Sequence, residues 1–415
     1  MPATADNPFE PMRILAITNL YPNPLQPHRG AFNRQQFRAL AQRHDVRVIA
    51  PIAWTDERKA RQKAGAPSIP ENRKISFDGL EVHHPRYWFP PRIGRGLYGR
   101  CFLRSIRAAY STMPGFTPDV ILAAWAYPDG WAAVEFGRRL KIPVVVKVHG
   151  SDILTLADVP GRSRGTRLAM SGADAVIAVS RDLAAKVTAM GAAADRVTVI
   201  YDGIDAEKFR PGPCEDSRKI VGLENADRVL LFVGNLLPVK GVDLLIEACA
   251  QLKSRGEQFL CCMIGDGPLR GELAHQIVAK NLTDCVRLVG SVAHAQLPDW
   301  FRAADVFILP SRSEGVPCVL LEAAACQTPF VATRVGGIPE IAALNTGKVI
   351  ESENATAVAD AVIEVLGKDR RAVPAYSRTH EDAARDIESL LESVCLRSTA
   401  SPNRETTRAG LAVAH

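Results

Sequence analysis

The strongest constraint on this chain is an alternation that runs through it twice. A short apolar run of strand length meets a glycine or polar loop, then a helix-length segment, then another apolar run. In the first half the apolar runs fall at 12–18, 46–50, 120–123, 144–148, 175–179 and 197–200. In the second they fall at 228–234, 258–264, 285–289, 306–309 and 330–333. Short apolar runs separated by helices predict parallel strands buried on both faces. The expected fold class is therefore α/β, as two doubly wound halves. They join near residue 210, where Pro211-Gly212-Pro213 marks a linker. Ligands of such sheets bind beyond the carboxyl ends of the strands. The glycine and polar signals lie at those ends: Gly30, His149-Gly150, Gly203, Gly234, Gly265-Asp266-Gly267, Glu314-Gly315 and Gly336-Gly337.

A chain of 415 residues has room for two or three domains. No run of eighteen apolar residues occurs, which predicts no transmembrane helix. The first eleven residues carry Asp6, Glu10 and three prolines, not a secretory signal, and are expected to be disordered. Nine cysteines without a C-x-x-C pair read as free thiols in a reducing, cytoplasmic setting. The histidines show no ligand spacing, so no metal site is expected. A net charge of +6 fits phosphate-bearing ligands, an anionic surface or neither. No nucleic-acid module is present.

Two surface stretches stand out. Residues 55–79 are polar and rich in Pro and Gly, and read as an irregular insertion. From Arg86 to Arg107, basic and aromatic residues interleave: Arg86-Tyr87-Trp88-Phe89, Arg92, Arg95, Tyr98, Arg100, Phe102, Arg104 and Arg107. That pattern suits an interface with anionic lipids. The competing reading is a surface helix whose aromatic residues face the core.

Residues 304–340 carry the most chemistry. A strand at Val306–Leu309 ends at Pro310, and the loop Ser311-Arg312-Ser313-Glu314-Gly315 leads into an apolar helix over 316–326. Glu322 lies inside that helix, and a buried carboxylate needs a donor. A ligand hydroxyl or a protein group could supply it. The loop also offers backbone N–H groups at a helix start, which attract anions.

Together these motifs resemble a known family. Gly234-Asn235-Leu236 with Lys240-Gly241, Gly265-Asp266-Gly267-Pro268, Pro310-Ser311, Glu314-Gly315, Glu322-Ala323 and Gly336-Gly337 with Pro339-Glu340 are similar to the retaining glycosyltransferases of family four, over roughly residues 12–366. The resemblance implies a GT-B fold of two facing Rossmann-like domains with a cleft between them. It implies an acceptor-binding domain over 12–210 and a nucleotide-sugar-binding domain over 211–375. A C-terminal helix over 376–397 and a disordered tail over 398–415 complete the expected layout. Donor binding should close the cleft about a hinge at 202–213.

The implied reaction is transfer of a sugar from a nucleotide-sugar donor, with retention, to a glycan or lipid-linked acceptor in cell-surface polysaccharide or glycolipid synthesis. No metal and no cofactor are implied. The implied location is cytoplasmic, with peripheral contact at the inner face of the plasma membrane. Residue by residue, Glu322 would accept from ribose hydroxyls and Glu314 would orient the donor sugar. Lys240 would meet the diphosphate, and the backbone at Gly315 and Val316 the sugar or phosphate. Gly234 and Asn235 would line the donor site. Gly30 would flank the diphosphate, His149 would lie near sugar and acceptor, and Asp202 and Gly203 would line the cleft. Three positions depart from the family pattern: Asn235 where Arg is common, Asp202 where Asn is usual, and Gln327 where Gly is usual. Arg312 or Arg334 could replace the charge absent at Asn235. A related GT-B epimerase or phosphorylase, and a non-catalytic nucleotide-sugar-binding protein, are the competing functions.

Overall fold

The computed structural model describes residues 10–62, 67–91, 94–344, 347–367 and 375–399. The segments expected to be disordered lie outside these, apart from Glu10, Pro11, Ser398 and Thr399; the last two close a helix instead. Arg92 also lies outside them. The chain forms two compact units. The first takes residues up to Val179, then Leu183–Tyr201 and the segment from His380. The second takes Ser180–Asp182 and Asp202–Thr379.

The first unit is built on one sheet of eight strands: β1 Arg13–Ile17, β2 Asp45–Ile49, β3 Lys74–Phe77, β4 Leu80–His83, β5 Val120–Ala124, β6 Val144–Val148, β7 Ala175–Ala178 and β8 Val197–Val199. Their order is β8-β7-β6-β5-β1-β2-β4-β3. β1 pairs in parallel with β2 on one side, Arg13 opposite Asp45, and with β5 on the other, Ile14 opposite Val120. The order thus reverses beside β1, which opens a crevice at the carboxyl ends of β1 and β5. The central strands β5 and β6 are buried at every residue, as their unbroken apolar runs require.

Among the helices packed around this sheet are α1 Ala31–Ala41, α2 Tyr98–Tyr110 and α3 Trp131–Leu140. On α2 the aromatic residues face inward. Tyr98 and Phe102 are buried, and Phe102 meets Tyr87 edge-on at 5.1 Å. Arg100, Arg104 and Arg107 face solvent.

The expected irregular insertion at 55–79 is corrected at both ends, while 67–73 form no helix or strand and 63–66 lie outside the described residues. Trp54–Arg61 is a helix, and β3 pairs antiparallel to β4 through a tight turn at Asp78-Gly79, with φ of 50° and 81°. Asp-Gly with positive φ at both positions is a hairpin signal. The helix shows no apolar stripe because its inward residue is Glu57, held by Arg73 at 2.8 Å and Arg86 at 2.6 Å.

The second unit carries six parallel strands: β9 Val229–Val233, β10 Leu260–Ile264, β11 Val286–Gly290, β12 Val306–Leu309, β13 Phe330–Thr333 and β14 Lys348–Ile350. Their order is β11-β10-β9-β12-β13-β14. Here the reversal falls between β9 and β12, so the loops that follow these two strands are neighbours. Helix α4, Cys318–Ala325, follows β12 and its loop, with Leu320, Leu321, Ala323 and Ala324 fully buried. Asp202 and Gly203 begin this unit in a segment pinned to 376–379: Tyr376 donates its hydroxyl to the Asp202 carbonyl at 2.9 Å, and the Ile204 N–H donates to the Arg378 carbonyl at 3.0 Å.

The C-terminal helix α5, His380–Thr399, belongs to the first unit. Its Ala384, Ile387, Leu391 and Val394 join the core under α1, and its Glu388 pairs with Arg43 and His44. Among the described residues, no helix is long and apolar enough to cross a membrane.

Candidate active site

In the second unit the reversal between β9 and β12 brings two distant motifs together. After β9 the chain forms a short turn, Pro238–Lys240, ended by Gly241 in the left-handed region at φ 62°. A Cβ at 241 would sit closer than 3.0 Å to the Pro310 carbonyl oxygen. Only glycine lets the turn lie on the end of β12 this way. The Arg312 N–H then donates to the Val239 carbonyl at 2.8 Å. With the loops locked, Lys240 Nζ reaches Glu314 Oε1 at 2.6 Å, and Ser311 Oγ donates to the same oxygen at 2.7 Å. The Glu314 side chain is nearly enclosed and the Lys240 side chain is 22% exposed, so the lysine is the more open member of the pair.

The loop over Glu314, Gly315 and Val316 is gripped from the opposite side by Gly336-Gly337. The Gly337 N–H donates to the Gly315 carbonyl at 2.7 Å, and Gly336 lies flat on the Glu314 carbonyl. Val316 is buried. One turn into α4, Glu322 is 8% exposed. Its Oε1 accepts from His294 Nε2 at 2.8 Å, and its Oε2 is buried with no hydrogen-bond partner. An unsatisfied buried acceptor costs about 1–3 kcal/mol, so this oxygen is suited to receive a donor from a ligand.

Gly234 follows β9 and Asn235 is exposed beside it. The Gly265-Asp266-Gly267 turn is packed directly on this loop: the Leu236 N–H donates to the Asp266 carbonyl at 2.9 Å, and neither glycine has room for a Cβ. The two arginines expected to replace the charge absent at Asn235 are each held by carboxylates. Arg312 forks onto Asp243 at 2.7 and 2.8 Å and also holds Glu353 at 2.5 Å. Arg334 pairs with Glu351 at 2.8 Å.

In the first unit, Gly30 caps α1 and lies on the Leu20 carbonyl. His149 follows β6, and its ring lies 4.7 Å from the Phe32 ring in the first turn of α1. Two buried aspartates hold these loops. Asp152 accepts from the backbone N–H groups of His149 at 3.1 Å, Gly150 at 2.9 Å and Ala126 at 3.1 Å. Asp129 accepts from the Asn19 N–H and from Asn19 Nδ2 at 2.6 Å, while Arg29 Nε donates to the Asn19 carbonyl at 2.8 Å. Among the described residues no group of three or more His, Cys, Asp or Glu is placed to hold a metal ion.

The sequence matches two family profiles, described as Glycosyltransferase Family 4 over residues 32–208 and Glycosyl transferases group 1 over 214–386. A Bacillus subtilis protein named as a teichuronic acid biosynthesis glycosyltransferase, TuaC, is 31% identical over 365 residues, 85% of this chain and 88% of its own. The chain belongs to the group 1 glycosyltransferases. Another relative, D-inositol 3-phosphate glycosyltransferase 1 of Catenulispora acidiphila, is 31% identical over 74% of this chain and 78% of its own. The crystal structure of Anabaena HepE in complex with UDP matches with a TM-score of 0.66 at 21% identity, covering 94% of this chain and 98% of that one. The glycosyltransferase WaaG, involved in lipopolysaccharide biosynthesis, matches with a TM-score of 0.63 at 18% identity, covering 94% and 100%. The fold of this glycosyltransferase is GT-B.

Of the residues singled out from sequence, the second unit assembles Lys240, Glu314, Gly315, Val316 and Glu322 along one sheet edge, with Gly234 and Asn235 on the adjoining loop. The first unit assembles Gly30 and His149. Ser311, named from sequence within the Pro310-Ser311 motif, joins them, and three further residues take part that sequence reasoning did not single out: His294, Asp129 and Asp152. His294 lies 28 positions from Glu322, and no spacing rule links them. Asp129, in Pro128-Asp129-Gly130, looks like an ordinary turn aspartate.

Burial pushes the Asp129 carboxyl up from its ordinary 3.8 to about 7, and Asp152 up to about 6, against the hydrogen bonds that favour their charged forms. A raised folded-state value means that the folded chain holds the proton longer than the unfolded one. The stability this confers is complete below pH 3.8 and is lost as pH rises towards 7. The stability of the wild type minus that of Asp129→Asn should therefore fall between pH 4.5 and about 7.5. Urea titrations across that range check it, and a flat difference would refute it.

Proposed function

We propose that this glycosyltransferase moves a sugar from a nucleotide-sugar donor, with retention at the anomeric carbon and without a metal ion or cofactor, to a glycan or lipid-linked acceptor. The observation that carries the donor reading is the buried, unpartnered Oε2 of Glu322, in the helix that follows the loop of the Lys240–Glu314 pair. A ribose hydroxyl would satisfy that oxygen. The Lys240 ammonium would stabilise the diphosphate as negative charge grows on the leaving group, where a preorganised cation acts without reorganisation. Glu314, freed in part from Lys240, would accept from the donor sugar. On the first unit's loops, Gly30 would flank the diphosphate and His149 would lie near sugar and acceptor. The UDP complex of HepE supports a nucleoside diphosphate as the shared ligand class.

A panel of UDP-, GDP- and ADP-sugars with lipid-linked and free glycan acceptors tests this reading. Transfer should persist in excess EDTA and give a product with the donor's anomeric configuration. An inverted product, or loss of transfer with EDTA restored by a divalent metal, would overturn the mechanism. An epimerised sugar formed from donor alone would favour the rival reading.

Cell-surface polysaccharide or glycolipid synthesis from the cytoplasmic face of the plasma membrane fits the naming of TuaC and WaaG for such pathways. Support from this chain is the outward row Arg100, Arg104 and Arg107 on α2, beside exposed Leu97. Each basic residue near an anionic surface contributes roughly 1 kcal/mol. An Arg100/Arg104/Arg107 triple alanine variant should then bind phosphatidylglycerol vesicles on the order of a hundredfold more weakly. Equal co-sedimentation of wild type and variant would remove the membrane contact.

A further inference from the structure

We propose that His294 is a positioning residue for the donor's ribose, acting by holding one oxygen of Glu322 so that the other is fixed as the acceptor of a ribose hydroxyl. The inference rests on the reading of Glu322 as the ribose contact, and adds a residue outside the family motifs.

His294 opens a short turn, His294–Gln296, ahead of the helix Leu297–Ala303. Its ring is held from two sides. One face lies against Phe209, ring centroids 5.1 Å apart, and Phe209 is itself buried against Phe301 at 6.2 Å. On the other side Nε2 meets Glu322 Oε1 at 2.8 Å. A carboxylate oxygen can only accept, so Nε2 carries the proton and donates. The His294 side chain is 54% exposed, and the Phe209 contact and the hydrogen bond to Glu322 together favour the orientation that points Nε2 at the carboxylate.

The consequence for Glu322 comes from its burial. Both oxygens of a free carboxylate are equivalent acceptors, and the group can turn. With Oε1 occupied by a held N–H, the carboxylate plane is set and Oε2 alone remains, buried and unpartnered. An incoming hydroxyl then meets an acceptor that needs no reorientation, and preorganisation of this kind lowers the cost of binding. Such outer partners of a ligand-binding carboxylate tune it much as they tune metal ligands. If His294 were only a tether between its turn and α4, its loss would lower thermal stability and leave ribose discrimination intact.

The test is a comparison of nucleotides in the full chain. UDP, GDP and ADP are titrated calorimetrically, and the tightest binder is compared with its 2′-deoxy and 3′-deoxy forms in wild type, His294→Ala and His294→Gln. Wild type should lose roughly tenfold to a hundredfold in affinity for one deoxy form, the range for a hydrogen bond to a charged group. In His294→Ala the ribonucleotide should bind about tenfold more weakly, with the deoxy penalty shrinking to within about threefold, because a freed carboxylate no longer discriminates. His294→Gln places an amide N–H where Nε2 stood and should restore most of the penalty. A full deoxy penalty in His294→Ala would overturn the role of His294 while leaving the ribose contact intact. No penalty for either deoxy form in wild type would overturn the ribose reading itself.

Discussion

Replacing Lys240 or Glu314 by alanine should each lower turnover of a nucleotide sugar by about a hundredfold to a thousandfold, the cost of removing one preorganised charge-stabilising group. Lys240 Nζ and Glu314 Oε1 are 2.6 Å apart, so each is the other's counter-charge. Lys240→Ala should cost more stability than Glu314→Ala, because it strips the counter-charge from a Glu314 side chain that is only 10% exposed; the partly exposed pair itself contributes up to about 1 kcal/mol. A domain of this size shifts by roughly 2–4 °C for each such unit. The effects on turnover should also be far from additive: once Lys240 is gone, an unneutralised Glu314 opposes the incoming diphosphate, so removing both should cost little more than Lys240→Ala alone. Lys240→Arg should recover only part of the activity, since a planar fork does not replace a compact ammonium beside Ser311 and Glu314. Steady-state kinetics with the preferred donor, beside melting curves, decide this. Wild-type transfer by both single variants would show that the pair is structural.

The alternation of apolar runs was sufficient for the central strands of both sheets, because strands buried on both faces leave little else for Val120–Ala124 or Val306–Leu309 to do, but it did not show the edge strands Lys74–Phe77, Leu80–His83 and Lys348–Ile350, whose residues are only partly apolar. That Lys240, Glu314 and Glu322 gather on one sheet edge was also readable, since Gly241, Gly336 and the two glutamates stand at fixed distances from strand ends. What could not be read depends on burial that only the tertiary fold creates. Glu57 turns a charged segment into a packed helix because Arg73 and Arg86 arrive from elsewhere in the chain. Asp129 gains its partner from Asn19, 110 residues away. The aromatic residues of α2 fitted a membrane-facing pattern as well as a core-facing one, and the periodicity of Tyr98 and Phe102 alone could not say which side the sheet would occupy. Gln327 is a smaller case. It holds φ 54°, a left-handed conformation, at the position where glycine is usual in the family.

Gly336→Ala should be as damaging as loss of Glu314 itself, although residue 336 carries no functional group. Gly336 holds φ 54°, and a Cβ there would fall inside 3.0 Å of both the Glu314 carbonyl oxygen and its carbon. Neither is a flexible side-chain end, so the backbone of the Glu314 loop has to move. Moving it also disturbs the bond from the Gly337 N–H to the Gly315 carbonyl. A shift of about 1 Å at a positioned group can cost on the order of a hundredfold in rate. Turnover should fall by about that factor, with KM for the donor rising as well, and the left-handed strain adds roughly 1–2 kcal/mol of lost stability. The control is Gly222→Ala in the same unit. Gly222 is equally left-handed, at φ 71°, but a Cβ there meets nothing within 4 Å. It should show the loss of stability without the loss of turnover. Turnover by Gly336→Ala within about threefold of Gly222→Ala, well short of a loss of about a hundredfold, would mean that the glycine pair supports the fold and not the position of Glu314.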